Sequence, residues 1–326
     1  MIRGSAPLRG TFSVLVAASL LISAVELASA SNPTRDKAQS FSQFEILPLT
    51  VSRQNGLIVR ALINGKSALL LVDTGTPATM IASSRCDDFG LTTAPPKMRW
   101  PKQVDVNGGW NKLVIAGHIQ LAALDLVDVP VVVTDLGGLR RAARLSHEAE
   151  ADGILGADVL LTTKAILNCQ NQTLILNMTP DIPSRLPAFN PRGFSRVRFH
   201  VSDGLNPYID SSINGARAQL MIDTGAFVTL LHRPFVNQLK IPVRGTRLRS
   251  AAINIADEKV GMARIRKLSI GWVNIVDKDV GVTNLKDLVG SDEPQSRPIA
   301  GLLGAEVLLA HQGIVDFGTR TLYLKK

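Results

Sequence analysis

The sequence predicts a mainly β protein made of two similar halves with a few short helices. Two observations carry that reading. Residues 57–81, LIVRALINGKSALLLVDTGTPATMI, align without gaps on residues 207–231, PYIDSSINGARAQLMIDTGAFVTLL. Further along, residues 153–176, GILGADVLLTTKAILNCQNQTLIL, align on residues 301–324, GLLGAEVLLAHQGIVDFGTRTLYL. The first offset is 150 (223 − 73) and the second is 148 (301 − 153), so the two blocks recur in the same order almost without a gap. An internal repeat of this kind is read before any local signal, because it sets the architecture. Between the blocks the chain consists of short Val-, Ile-, Leu- and Thr-rich runs broken by Gly, Asn and Pro, which is a strand signature.

The elements follow in order. Residues 1–30 read as a secretory signal peptide. Arg3 and Arg9 precede an apolar run from Phe12 to Val25, and Ala28-Ser29-Ala30 follows, so cleavage is expected after Ala30. No Cys stands at that site, so no lipid anchor is expected, and no later run is long and apolar enough for a membrane helix. Residues 31–42 are a polar leader. The first half spans 43–178, the second 196–326, and the proline-rich stretch 179–195 links them, because its four prolines disfavour a helix or a central strand. Within the first half, Ile58 to Ile63 and Leu69 to Val72 read as strands joined by an Asn64-Gly65 hairpin turn. Leu113–Leu121, Val127–Thr134 and Thr173–Leu176 are further strands. Ser83–Phe89 and Ala157–Thr163 are short helices, and residues 137–152, GGLRRAARLSHEAEAD, are a solvated insertion of helical character.

Composition bounds the function. The chain has 326 residues, 45% of them hydrophobic, and a formal net charge of +9. That hydrophobic content suits a folded chain with a real core. The basic residues are scattered, so a solvated surface is favoured over nucleic-acid binding. The five histidines lie far apart and no Cys/His spacing resembles a zinc site. Cys86 and Cys169 leave two readings open: a disulfide, as an exported protein permits, or two small buried hydrophobes.

The chemistry lies in the repeat. Asp73 and Asp223 each follow an apolar strand and open an Asp-Thr-Gly turn. Burying one carboxylate is costly, but two brought together share a proton, since both cannot ionise at close range. The ionised member can take a proton from water while the protonated one hydrogen-bonds a carbonyl oxygen, the combination that amide hydrolysis needs. Gly75 and Gly225 permit close backbone approach. Thr74 and Thr224 offer hydroxyls to tie the two loops together. Thr76 can bond the outer oxygen of Asp73, which Ala226 cannot do for Asp223, so the two carboxyls should differ in proton affinity. Asp158 and Glu306, equivalent after the glycine blocks, read as acids capping the next helix rather than as catalytic groups.

Two Asp-Thr-Gly motifs, each with a later apolar-apolar-glycine element (Ile154-Leu155-Gly156 and Leu302-Leu303-Gly304), resemble the aspartic peptidases, and bacterial retropepsin-like aspartyl proteases most of all. The resemblance implies a bilobal, pseudo-two-fold acid-protease fold of the pepsin and retropepsin kind, with a β-barrel in each lobe. It implies peptide hydrolysis without metal, cofactor or covalent intermediate. By position it gives Asp73 and Asp223 the catalytic role, Thr74 and Thr224 the inter-loop bonds, and Gly156 and Gly304 places beside the loops. Both lobes lie in one chain, so dimerisation is not required. The expected partner is a peptide or protein substrate, and the expected location is the periplasm. A substrate-covering hairpin should fall near Lys102–Leu113, with Asn107-Gly108 at its turn and Trp110 or Trp100 as covering residue, and a second near Asn254–Met262. Pepsin-like enzymes carry a tyrosine in the first of these hairpins, and this chain has only Tyr208 and Tyr323, both in its second half. The alternative function is therefore a peptide-binding protein on the same fold, weakly active or inactive.

Overall fold

The computed structural model describes residues 43–93, 103–106, 109–180, 191–246, 259–285 and 299–326, with backbone only at 103–106 and 109–110. The signal-peptide and leader assignments, the core of the linker and the tip of the second hairpin lie outside these residues.

Each half begins from a two-strand hairpin. Leu57–Ile63 pairs antiparallel with Lys66–Val72, and Pro207–Ile213 pairs with Ala216–Ile222. Both turns are Asn-Gly with positive φ at both residues: 48° and 79° at Asn64-Gly65, 51° and 89° at Asn214-Gly215. This is the twist that suits the flanking strands, and asparagine and glycine are the residues that reach it most cheaply. The asparagine side chains then lock the next strand in place. Asn64 accepts from His118 N (2.9 Å), and Asn214 accepts from Arg266 N (2.8 Å) and Lys267 N (3.0 Å).

The Asp-Thr-Gly turn comes next, and a later strand inserts beneath it. Gly153–Leu155 runs parallel to Lys66–Val72 and antiparallel to Met80–Ala82, so it separates the two strands on either side of the turn. Ile299–Leu303 does the same between Ala216–Ile222 and Leu230–His232. A short helix leaves each inserted strand, Ala157–Thr162 and Ala305–Ala310. Each half also folds a long antiparallel pair over its hairpin: Gly109–Leu121 with Leu124–Thr134, and Gly261–Ile270 with Val273–Thr283. The fold is mainly β and bilobal, as the sequence predicts.

The halves share one sheet. Its shared part runs in the order Phe44–Pro48, Thr173–Asn177, Ile166–Asn168, Ile314–Asp316, Thr321–Lys325, Phe194–Val201, and the last strand carries the sheet on into Pro207–Ile213. The central pairing is Ile166 with Asp316, Leu167 with Val315 and Asn168 with Ile314. Under the 148-residue offset this register maps onto itself: 166 becomes 314, 167 becomes 315 and 168 becomes 316. A pseudo-two-fold axis therefore passes through the Leu167–Val315 pair. Both side chains are fully buried, in one core that is continuous across both halves.

Several expectations are refined. The long strands extend further than predicted, because Gly109 and Leu124 already pair with their neighbours. Gln103–Val106 pairs with Gly109–Leu121 as a hairpin at the expected place; its Asn107-Gly108 turn, Trp100 and the Trp110 side chain lie outside the described residues. The second half starts at Phe194, two residues early, since Phe194 pairs with Lys325. The 137–152 insertion holds the helix Gly137–Leu145. Helix 83–89 is a 3-10 turn, Ser83–Arg85, running into Cys86–Phe89. Both cysteines are free, which removes the disulfide reading; Cys169 is buried in the core and Cys86 is half-buried. Burial pushes the Cys169 thiol up to about 12. Among the described residues no helix is long and apolar enough to cross a membrane.

Leu167→Ala tests the shared sheet. Loss of a fully buried leucine at the axis should lower unfolding stability by about 2–5 kcal/mol, read as a shift in the urea midpoint.

Candidate active site

The two Asp-Thr-Gly turns meet on the pseudo-two-fold axis. Both aspartates are buried, Asp73 at 7% and Asp223 at 8% exposure. They sit in matched hydrogen-bonded settings. Asp73 N donates to Leu155 O and Asp223 N to Leu303 O, both at 3.0 Å, so each inserted strand holds the base of its turn.

Thr74 and Thr224 cross the interface, as predicted. Thr74 N donates to Thr224 Oγ1 and Thr224 N to Thr74 Oγ1, each at 3.1 Å. The hydroxyls donate onward into the opposite lobe, Thr74 Oγ1 to Ile222 O and Thr224 Oγ1 to Val72 O, each at 2.7 Å. These four bonds pair the backbone N–H and the hydroxyl of two fully buried threonines, and each bond joins one lobe to the other.

The glycines let the carboxyls approach. A Cβ on Gly75 would stand 2.5 Å from Asp223 Cγ, and one on Gly225 would fall on Asp73 Oδ2. Each aspartate therefore packs on the glycine backbone of the opposite turn, where no other residue fits. Asp73 accepts from Gly75 N (2.8 Å) and from the Thr76 hydroxyl (2.6 Å). Asp223 accepts from Ala226 N (2.9 Å), with Ala226 at the place of Thr76. The hydroxyl asymmetry read from the sequence is present.

Burial first, and then the Asp73 charge and a side-chain hydrogen bond to Asp73, hold the Asp223 carboxyl well above its ordinary value; the Ala226 and Gly225 amides only partly oppose this. Asp223 therefore keeps its proton more readily than an ordinary exposed carboxyl does.

Gly156 and Gly304 lie beside the loops, as predicted. A Cβ on Gly156 would stand 2.6 Å from the Ala78 carbonyl carbon, and one on Gly304 2.6 Å from Thr229 N. The following residues clamp the turns, Ala157 N to Thr76 O and Ala305 N to Ala226 O, both at 2.8 Å.

Two residues escaped the sequence reading. Thr79 and Thr229, which coincide in the repeat, are fully buried and end the two turns. Gly156 N donates to Thr79 Oγ1 and Gly304 N to Thr229 Oγ1, each at 3.2 Å. Their identity at the 150-residue offset was the available signal. Asp158 and Glu306 stand in the first turns of their helices, and each also reaches the end of an Asp-Thr-Gly turn. Asp158 does take one helix amide, Val159 N at 2.8 Å, but its other acceptances are from Thr79. Glu306 instead accepts from Thr229 N (2.7 Å) and pairs with Lys278 (2.9 Å). Among the described residues no group of three or more His, Cys, Asp or Glu is placed to hold a metal.

The family model described as aspartyl protease matches residues 59–159 and 209–307, one segment in each half. No curated protein matches. Among solved structures, the chain is similar to basic 7S globulin from soybean, at 11% identity and a TM-score of 0.44, over 87% of this chain and 95% of that one. It is likewise similar to an aspartic proteinase from Irpex lacteus, at 12% identity and a TM-score of 0.46, over 87% of this chain and 97% of that one.

Two predictions follow from the interface and the shared proton. Thr224→Val leaves Thr74 N and Val72 O buried without their partner and should cost about 1–3 kcal/mol of unfolding stability, whereas Thr224→Ser should stay near wild type. Asp223 binds its proton more tightly in the folded chain than its ordinary value of 3.8 allows, so above that value the folded state holds the extra proton. Its stabilising contribution is present below the ordinary carboxylate range and is lost as pH rises toward the folded-state value. Urea titrations should therefore show Asp223→Asn gaining stability relative to wild type as pH rises from about 4 to about 7.

Proposed function

The chain belongs to the aspartyl protease family, and on that premise we propose that it is an exported endopeptidase in which Asp73 and Asp223 activate a water molecule for peptide-bond hydrolysis. The observation that carries this reading is the pairing of the two buried carboxyls across the axis, with the proton drawn to Asp223. Asp73, which accepts from the Thr76 hydroxyl and Gly75 N, is the base. It takes one proton from water as the water oxygen bonds the carbonyl carbon. Asp223, protonated, donates its hydrogen bond to the carbonyl oxygen, which gathers negative charge in that step. Return of the proton to the amide nitrogen then lets the carbon–nitrogen bond break, giving one carboxylic acid and one amine.

The substrate is an extended peptide. The hairpin of Gln103–Val106 and Gly109–Leu121 supplies a strand-like edge for main-chain hydrogen bonds, the mode by which sheets take up peptides. Residues 1–30 support export, and a periplasmic destination fits that leader.

Activity requires one ionised and one protonated carboxyl, so hydrolysis should peak on the acid side of neutrality. Purified protein should cleave casein or a peptide library between about pH 3 and 7. Asp73→Asn and Asp223→Asn should each abolish cleavage and leave peptide binding intact. Binding without any hydrolysis by the wild type across that range would replace the enzyme with a peptide-binding protein.

A further inference from the structure

Each Asp-Thr-Gly turn ends on a threonine that is gripped from the helix after the glycine block. In the first half, Asp158 Oδ2 accepts from Thr79 N and Asp158 Oδ1 from the Thr79 hydroxyl, both at 2.8 Å. That hydroxyl in turn accepts from Gly156 N at 3.2 Å. The same segment reaches the carboxyl pair. Ala157 N holds Thr76 O at 2.8 Å, Asp158 N holds Pro77 O at 3.2 Å, and the Thr76 hydroxyl donates to Asp73 Oδ2 at 2.6 Å. The turn that presents Asp73 is thus held along its whole length by residues 155–158. Glu306 repeats the grip on Thr229 N in the second half, so the arrangement is built twice on one plan.

The two grips differ. Glu306 shares its carboxylate with Lys278. Asp158 receives only neutral donors, the Thr79 N–H, the Thr79 hydroxyl and the Val159 N–H, and among the described residues no cation pairs with it. Its hold on the turn is therefore a matter of hydrogen-bond geometry alone. An asparagine cannot reproduce it. The Thr79 N–H bonds one oxygen and the Val159 N–H the other, and the single oxygen of an amide can serve only one of these two backbone donors, leaving its NH2 against the other.

We propose that Asp158 is a positioning residue for the carboxyl pair, fixing through Thr79 the angle at which the first turn presents Asp73 to Asp223. The proposal rests on the hydrolytic reading for its effect on rate, but its geometric consequence can be read without any activity.

Carboxyl-carbon NMR of labelled aspartates tests it, with the titration midpoint of Asp223 as the readout. In Asp158→Asn the turn loosens, the Asp73 charge recedes, and the Asp223 midpoint should fall toward the ordinary carboxylate range. In parallel, kcat per folded molecule should drop about 10²-fold with KM nearly unchanged, the scale of effect that a small misplacement produces. Thr79→Val should behave in the same way, and Thr79→Ser, which keeps the hydroxyl, should restore both readouts. If both loss variants fold with lower unfolding midpoints but an unaltered Asp223 titration, Asp158 is a structural residue only and the proposal is overturned. If Asp158→Asn does not fold, Thr79→Val decides through the same readouts. A wild type that hydrolyses nothing removes the enzymatic reading, and the titration then judges the positioning claim by itself.

Discussion

Two threonines exchange backbone and hydroxyl hydrogen bonds across the centre of this molecule, and the site exists because of that exchange. Thr74 and Thr224 each take an amide from the opposite turn and give a hydroxyl to the opposite strand. Fully buried polar groups are expensive to leave unpaired, so neither turn is satisfied unless the other is in place. The carboxyls ride on these turns, one residue before the threonines. Their mutual approach is thereby a property of the interface, and the glycines at 75 and 225 leave space for it that a Cβ would fill.

Symmetry brings the carboxyls together, and small departures from it set them apart in role. Thr76 gives Asp73 a hydroxyl donor that Ala226 withholds from Asp223. A proton shared between two equivalent acids has no preferred owner; here the Thr76 hydroxyl, a donor that only Asp73 has, breaks the equivalence in favour of a protonated Asp223. Further out, the halves solve one problem twice, gripping the end of the turn with Asp158 in one lobe and with a lysine-paired Glu306 in the other. The pseudo-two-fold axis constrains the backbone far more tightly than the side chains that surround it.

Much of this was legible before any coordinates. The repeat exposed the bilobal plan, because two copies of one block must fold alike, and the Asn-Gly dipeptides located both hairpin turns through their left-handed conformation. The Asp-Thr-Gly pattern marked the residues that meet. Other features were hidden for physical reasons. Thr79 and Thr229 gave no motif of their own, since an isolated threonine at a strand end has no local signature, although their coincidence in the repeat was visible. Asp158 and Glu306 were legible as acids at helix starts, but their bonds to Thr79 and Thr229 were not, since those partners lie 79 and 77 positions away in the chain. Strand ends were short by several residues, since pairing and not composition sets where a strand stops.

The closure of the inserted strands has a consequence for the life of the chain on the ribosome. Asp223 N is held by Leu303 O, and the common sheet is completed only by Ile314–Asp316. A nascent polypeptide that stops short of these positions carries both acids but lacks the Leu303 and Ile314–Asp316 bonds that hold the second turn and the common sheet. Such long-range closure is slow and comes late in folding. Synthesis order therefore delays the final setting of the two carboxyls until residues 303 and 314–316 have emerged.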